Sequence, residues 1–155
     1  MLGPSTIIIP ALPLHLAFEW LERDLAEKYT PERIEIPEAA KASLPYAWQG
    51  KHMSLLASYA DFLCPEDCPE PPEHCTVTGE KRAKTLYELL NGLEIPGYYI
   101  HVVKSRQMGP GVGGYRVMEL KRLKDNILSA GRGKWIIATA CKCHGVLSAM
   151  ELKPR

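Results

Sequence analysis

Long hydrophobic runs are missing from this 155-residue chain. The longest apolar stretch, Ile7 to Phe18, is broken by Pro10, Pro13 and His15 and falls short of the about 18 residues that a spanning helix needs, so no membrane partner is expected. It is equally poor as an export signal. No basic residue precedes it, and no small-residue cleavage site follows before the acidic run Glu19 to Asp24. The expected compartment is therefore the cytoplasm, where clustered cysteines serve more often as metal ligands or catalytic thiols than as disulfides. An even cysteine count is missing too: there are five. A disulfide framework of the kind found inside hyperthermophiles is the alternative.

A charge excess is also absent, with 19 Lys+Arg against 18 Asp+Glu. Apolar residues at 46% and charged residues at 24% exclude a disordered composition. The balance hides an asymmetry. Residues 1–80 hold 5 Lys/Arg against 13 Asp/Glu, and residues 81–155 hold 14 against 5. Two halves attracting each other within one fold account for this. The basic residues are spread over several elements without interleaved aromatics, so no nucleic-acid stripe is read from them. The length suits one domain, residues 1–155.

Periodicity divides the chain into elements. Ser5 to Ile9 reads as a buried strand ended by Pro10. Pro13 precedes a helix whose apolar positions Leu14, Ala17, Phe18, Leu21, Leu25 and Tyr29 recur at helical spacing, and Pro31 marks its end. Residues 30–50 read as connector with a short helix near Glu38 to Leu44, and His52 to Phe62 as an extended segment. Further on come a helix from Thr85 to Leu90, a strand from Gly97 to Lys104, a helix from about Tyr115 to Ala130, a strand from Lys134 to Ala140 and a last helix over 146–152. Strand, glycine loop, helix and strand in that order predict a parallel βαβ unit. The fold class expected is α/β, a small parallel Rossmann-like sheet with flanking helices and a long Cys/Pro-rich loop, residues 64–80, inserted in it.

The cysteines fall into two clusters. Cys64, Cys68 and Cys75 form C-x3-C-x6-C in a loop rich in proline and acid, while Cys141 and Cys143 stand at the end of the last strand. Without a tether such a loop resembles disorder; a shared metal ion would supply one. Residues i and i+2 of a strand share a face, so Cys141 and Cys143 point together, with Cys143 placed nearer the start of the expected last helix. Three thiolates from the first cluster and one from the second complete a tetrahedral Zn2+ site, and the same four could hold an iron-sulfur cluster. Structural burial is the alternative for Cys141. His74 and His144 could substitute as ligands or stand beside them. No C-x2-C pair of the zinc-ribbon type is present.

The loop Ser105 to Gly114 follows a strand and opens a helix, a setting in which backbone amides bind phosphate. Gly109, Gly111 and Gly114 fit G-x-G-x-x-G, Gly113 lies beside them, and Arg106 is the charged group nearest an anion there. Pro110 removes one amide donor, and the acidic residue expected about twenty positions on is missing. A tight turn is the simpler reading. A phosphate-containing small molecule is the partner this loop would take. No catalytic residue is assigned; a redox thiol pair, Cys141 with Cys143, has C-x-C spacing where thioredoxin-like motifs have C-x-x-C.

The segments Cys64-Pro65-Glu66-Asp67-Cys68-Pro69-Glu70-Pro71, Cys75-Thr76-Val77-Thr78-Gly79-Glu80, Gly111-Val112-Gly113-Gly114-Tyr115 and Thr139-Ala140-Cys141-Lys142-Cys143-His144-Gly145 resemble a family of uncharacterised prokaryotic proteins. The resemblance covers roughly residues 5–150. Some members of that family carry a potassium-transporter label through a nucleotide-binding-like front half, most of which this chain would lack. The resemblance implies no established activity. The expected function is thus metal binding, with a thiolate site joining the 64–75 loop to Cys141 and Cys143. An iron-sulfur or thiol redox protein, and an anion-binding or nucleotide-binding regulatory domain built on residues 109–114, are the alternatives.

Overall fold

The computed structural model describes residues 2–12 and 14–155; Pro13, read above as preceding the first helix, lies outside them. One strand organises everything that positions the cysteines. Between residues 146 and 152 the sequence Val-Leu-Ser-Ala-Met-Glu-Leu forms the middle of an extended strand, His144–Pro154, where a helix was expected. Leu147 and Ala149 join one buried cluster, while Met150 and Leu152 join another. A strand covered on both faces shows a near-continuous apolar run, which periodicity alone cannot distinguish from a buried helix.

In chain order the elements are β1 (Ile7–Ile8), α1 (Leu16–Leu25), β2 (Tyr29–Ile34), α2 (Glu38–Ala42), β3 (Tyr46–Gln49), β4 (Leu55–Ser58), α3 (Leu86–Asn91), β5 (Tyr98–Lys104), β6 (Arg106–Gly109), β7 (Val112–Arg116), α4 (Val117–Ala130), β8 (Gly133–Ala140) and β9, the strand above. The main sheet runs β3-β4-β9-β8-β5, and β2 also pairs with β9. On β9, β4 takes residues 144–147 and β2 takes 149–154. A smaller antiparallel sheet runs β1-β7-β6.

The small parallel Rossmann-like sheet expected from the sequence is not what forms. The structure is mostly strand, and in the main sheet β2, β4 and β8 all pair antiparallel with β9, as β3 does with β4. Among the described residues only β5 and β8 run parallel, joined through α4 as the strand-helix-strand order predicts. Two further expectations fail for local reasons. Pro31 does not end a helix; it sits inside β2, opposite Leu152, and β2 is paired with β9 alone, the edge setting in which a strand tolerates proline. Ser5 to Ile9 yields only a two-residue strand, with Ile7 and Ile9 about half exposed.

Two cores lie on opposite faces of the main sheet. Phe18, Leu21 and Leu25 of α1 and Leu123 and Ile127 of α4 pack with Trp135, Ile137 and Met150. Ala40 of α2 and Leu86 and Leu90 of α3 pack with Ile136, Ala138 and Leu147. Each large side chain buried this way stabilises by roughly 1.5–3 kcal/mol. Polar contacts fix α1 to the sheet. Arg33 of β2 reaches Glu19 at 2.6 Å and Glu22 at 2.7 Å, with its guanidinium 5.1 Å from the centre of the Phe18 ring. His15, buried at the start of α1, sets Nδ1 2.9 Å from Ser148 Oγ and Nε2 2.9 Å from Thr139 Oγ1. No described helix is long and apolar enough to cross a membrane.

Candidate metal centre

The second cysteine pair stands where β8 turns into β9. Cys141-Lys142-Cys143 is the turn itself, not a strand end followed by a helix, so the expected shared strand face and helix N-terminus are both replaced by turn geometry. Cys141 N–H donates to His144 C=O at 2.9 Å and closes the turn. Three neighbours hold it: Leu86 N–H donates to Lys142 C=O, Tyr59 N–H to Cys143 C=O, and Ser105 N–H to Ala140 C=O. Gly145 is required by close packing, because a Cβ there would lie 3.0 Å from Ala140 Cβ and 3.2 Å from Thr139 C=O.

The first cluster lies in a segment without a core. From Asp61 to Lys84 no residue is buried, and Leu63 is 98% exposed. Short internal bonds shape it: Gly79 N–H to Cys75 C=O at 2.8 Å, Cys75 N–H to Glu80 C=O at 2.9 Å, and Arg82 N–H to Glu73 C=O at 3.0 Å. Its links to the sheets are few. Gly111 N–H donates to Glu66 C=O at 2.9 Å, Gln107 Nε2 to Cys68 C=O at 2.8 Å, and Tyr59 Oη to Lys84 C=O at 2.8 Å. A capping box then starts α3, with Thr85 and Glu88 bonding each other's backbone N–H.

Together these segments enclose a cavity of about 410 Å³, and all five cysteines line it. Cys64, Cys68, Cys75, Cys141 and Cys143, the residues expected to share one metal site, thus line one cavity, but no three of their sulfurs converge within 4.8 Å of one another among the described residues. The structure also places residues other than cysteine at this cavity. Glu70 Oε1 lies 3.3 Å from Cys141 Sγ and 3.4 Å from His144 Nδ1, while His144 Nε2 lies 3.6 Å from Cys64 Sγ. The ligand atoms of Glu70, Cys141 and His144 all fall within 4.8 Å of one another. Arg82 donates to Cys143 Sγ at 2.8 Å and stacks over the Tyr59 ring at 4.7 Å. Glu70 was one of several acidic residues in a proline-rich stretch; its φ of 48° between two prolines is visible only in three dimensions.

Burial dominates the electrostatics of the raised thiols. Burial, followed by the charge of Glu70, pushes the Cys141 thiol up to about 12. Burial also raises Cys143, against the hydrogen bond and charge of Arg82. Cys64 is raised by burial and then by the nearby Cys68 and Cys75. Cys75 is the exception, held low by hydrogen bonds from the Thr78 side chain and from the amides of Thr78 and Val77. Glu70 is held low chiefly by its hydrogen bond with His144. Thiols crowded together resist losing their protons until a cation replaces them, and the set of thiolate, carboxylate and imidazole donors suits a borderline-soft ion such as zinc.

The glycine loop forms a β-hairpin, not the direct strand-to-helix turn expected. Gly109-Pro110-Gly111-Val112 is the turn of a β6–β7 hairpin, with Gly111 at φ 68° and Gly109 opposite Val112, the arrangement Pro-Gly gives in a type II turn. Gly113 pairs with Gln107 and Gly114 with Arg106, and a Cβ on Gly114 would lie 2.9 Å from Ile8 C=O. Helix α4 starts only at Val117, beyond the hairpin. Arg106, Gly111 and Gly113 do line the cysteine cavity.

No solved structure matches this chain. It is 29% identical over 144 residues to an uncharacterised protein of Archaeoglobus fulgidus. The matched region is 93% of this chain and 64% of that relative. Neither that protein's name nor the family description speaks of transport. With residues 17–153 matched, the chain belongs to the family described as the C-terminal domain of an uncharacterised protein.

Proposed function

We propose that this chain is a metal-binding domain in which zinc, held by Cys64, Cys68, Cys75 and Cys143, fastens the 61–84 segment to the β8–β9 turn. One observation carries this reading: cysteines from two distant parts of the chain line a single cavity. Zinc closed by four thiolates does no chemistry and contributes folding free energy instead, with apparent values of about 10–16 kcal/mol for zinc-finger peptides. That is the contribution a segment without buried residues needs. Cys143 suits the fourth position because it is buried in the turn and Arg82 already donates to its sulfur. An iron-sulfur cluster in the same four thiolates is the second reading. Arg82 favours it, since hydrogen bonds to cluster sulfurs tune a redox centre.

Counting reactive thiols tests the proposal. In native protein purified without chelator, most of the five thiols are expected to react slowly with a thiol reagent, and a strong chelator should release them together with the ion. Five thiols reacting at once without chelator, and no metal released, would end this reading.

A further inference from the structure

We propose that Glu70, Cys141 and His144 form a second metal site, separate from the four-thiolate site, binding a zinc ion with one coordination position left to water. Tetrahedral zinc has bonds of about 2.0–2.3 Å, which puts neighbouring ligand atoms roughly 3.3–3.8 Å apart. Glu70 Oε1 stands at 3.3 Å from Cys141 Sγ and 3.4 Å from His144 Nδ1, and the three ligand atoms lie within 4.8 Å of one another. The donors therefore need little movement to close on an ion.

The composition of the group differs from that of a closed structural site. One oxygen, one sulfur and one nitrogen from three side chains is the count found where zinc keeps an open position, whereas structural zinc is closed by four cysteine or histidine ligands. The imidazole is also oriented for the task. A histidine that ligates through one nitrogen commonly donates the other N–H to a nearby group, and with Nδ1 facing Glu70, the Nε2 atom faces Cys64 Sγ at 3.6 Å. Cys64 would in this way connect the two sites.

Access differs between the ligands as an open site requires. The Glu70 side chain is 14% exposed, and that of His144 is 45% exposed. All three ligands line the cavity shared with Arg106 and Gln107 of the hairpin, so a fourth position opens into space and not into the core. Glu70 is further marked by its left-handed backbone, rare for a residue with a side chain and more so before a proline. That conformation carries its carboxylate to the β8–β9 turn.

Zinc alone, added to chelator-stripped full chain and measured by elemental analysis after desalting, tests the assignment. Glu70→Gln and His144→Ala are each expected to bind one equivalent fewer than the wild type, and Cys68→Ala to keep the equivalent that they lose. The inference is overturned if both variants retain the wild-type complement, or if all three variants lose all metal together, which would mean one shared site. Unchanged far-ultraviolet dichroism shows that a lost equivalent is not a lost fold. Should Cys68→Ala lose nothing while the other two variants lose one equivalent, this site stands and the four-thiolate tether fails.

Discussion

Cys68→Ala, Cys75→Ala or prolonged chelation is expected to raise protease cleavage within residues 61–84 at least about tenfold while leaving the two-faced sheet folded. The segment buries no residue of its own, and ordering each residue's backbone is opposed by roughly 1–2 kcal/mol of conformational entropy. Against that stand a handful of hydrogen bonds, from Gly111, Gln107, Tyr59 and Arg82 and from Cys141 and His144 to Glu70 and Cys64, each stabilising by about 0.5–1.5 kcal/mol net. They are too few to hold so long a stretch. An ion joining Cys64, Cys68 and Cys75 to Cys143 reverses the comparison, and a loss of only about 1.4 kcal/mol already multiplies the open population tenfold. The sheet should survive, because its cores draw on α1 to α4 and on β4, β8 and β9. Timed digestion read by mass spectrometry locates the cuts. Equal rates in wild type and variants would mean that packing alone orders the segment.

The other large effect is expected from His15. Buried between Ser148 and Thr139, its imidazole is lowered from the usual 6.5 to about 3, first by burial and then by the charge of Arg33. The neutral ring is the form the fold accepts, one nitrogen donating and the other accepting. Below pH 6.5 the unfolded chain takes up a proton at this position that the folded chain refuses until about pH 3. Stability is therefore fully present above about 6.5 and is lost progressively as pH falls toward 3, by about 5 kcal/mol at 1.36 kcal/mol per pH unit. Carboxylates and metal ligands titrate in this range as well. Comparing urea unfolding of wild type and His15→Gln between pH 7 and pH 4 isolates the histidine: the variant is expected to be less stable at pH 7 and to lose part of the slope. Parallel curves for the two proteins would contradict the assignment.

What could be read from the sequence follows from where each signal is local. The α1 and α4 stripes, the capped start of α3 and the β5 and β8 runs stand alone as patterns, and the β5–β8 pairing follows from their order. Strand β9 does not stand alone. Its residues face two cores, so Leu147, Ala149, Met150 and Leu152 hide the alternation that marks a strand. As a helix it would leave β2, β4 and β8 without their antiparallel partner, and the rest of the sheet with them. Strand β2 was hidden by Pro31, a residue that also ends helices. At the site, thiols announce themselves by type and spacing, which is why all five cysteines could be brought together on paper. Glu70 and Arg82 could not, because acids and bases are common on surfaces; only the fold shows one carboxylate between Cys141 and His144 and one guanidinium on Cys143.

Elemental analysis combined with an absorption spectrum of protein purified without oxygen or chelator is the most direct measurement of whether the cysteine cavity is a metal centre. Colourless protein carrying stoichiometric zinc is the expected result, while a brown protein with iron and acid-labile sulfide would move the same thiolates to the cluster reading. Metal-free protein, with all five thiols freely titratable and the 61–84 segment as protease-resistant as before, would contradict it.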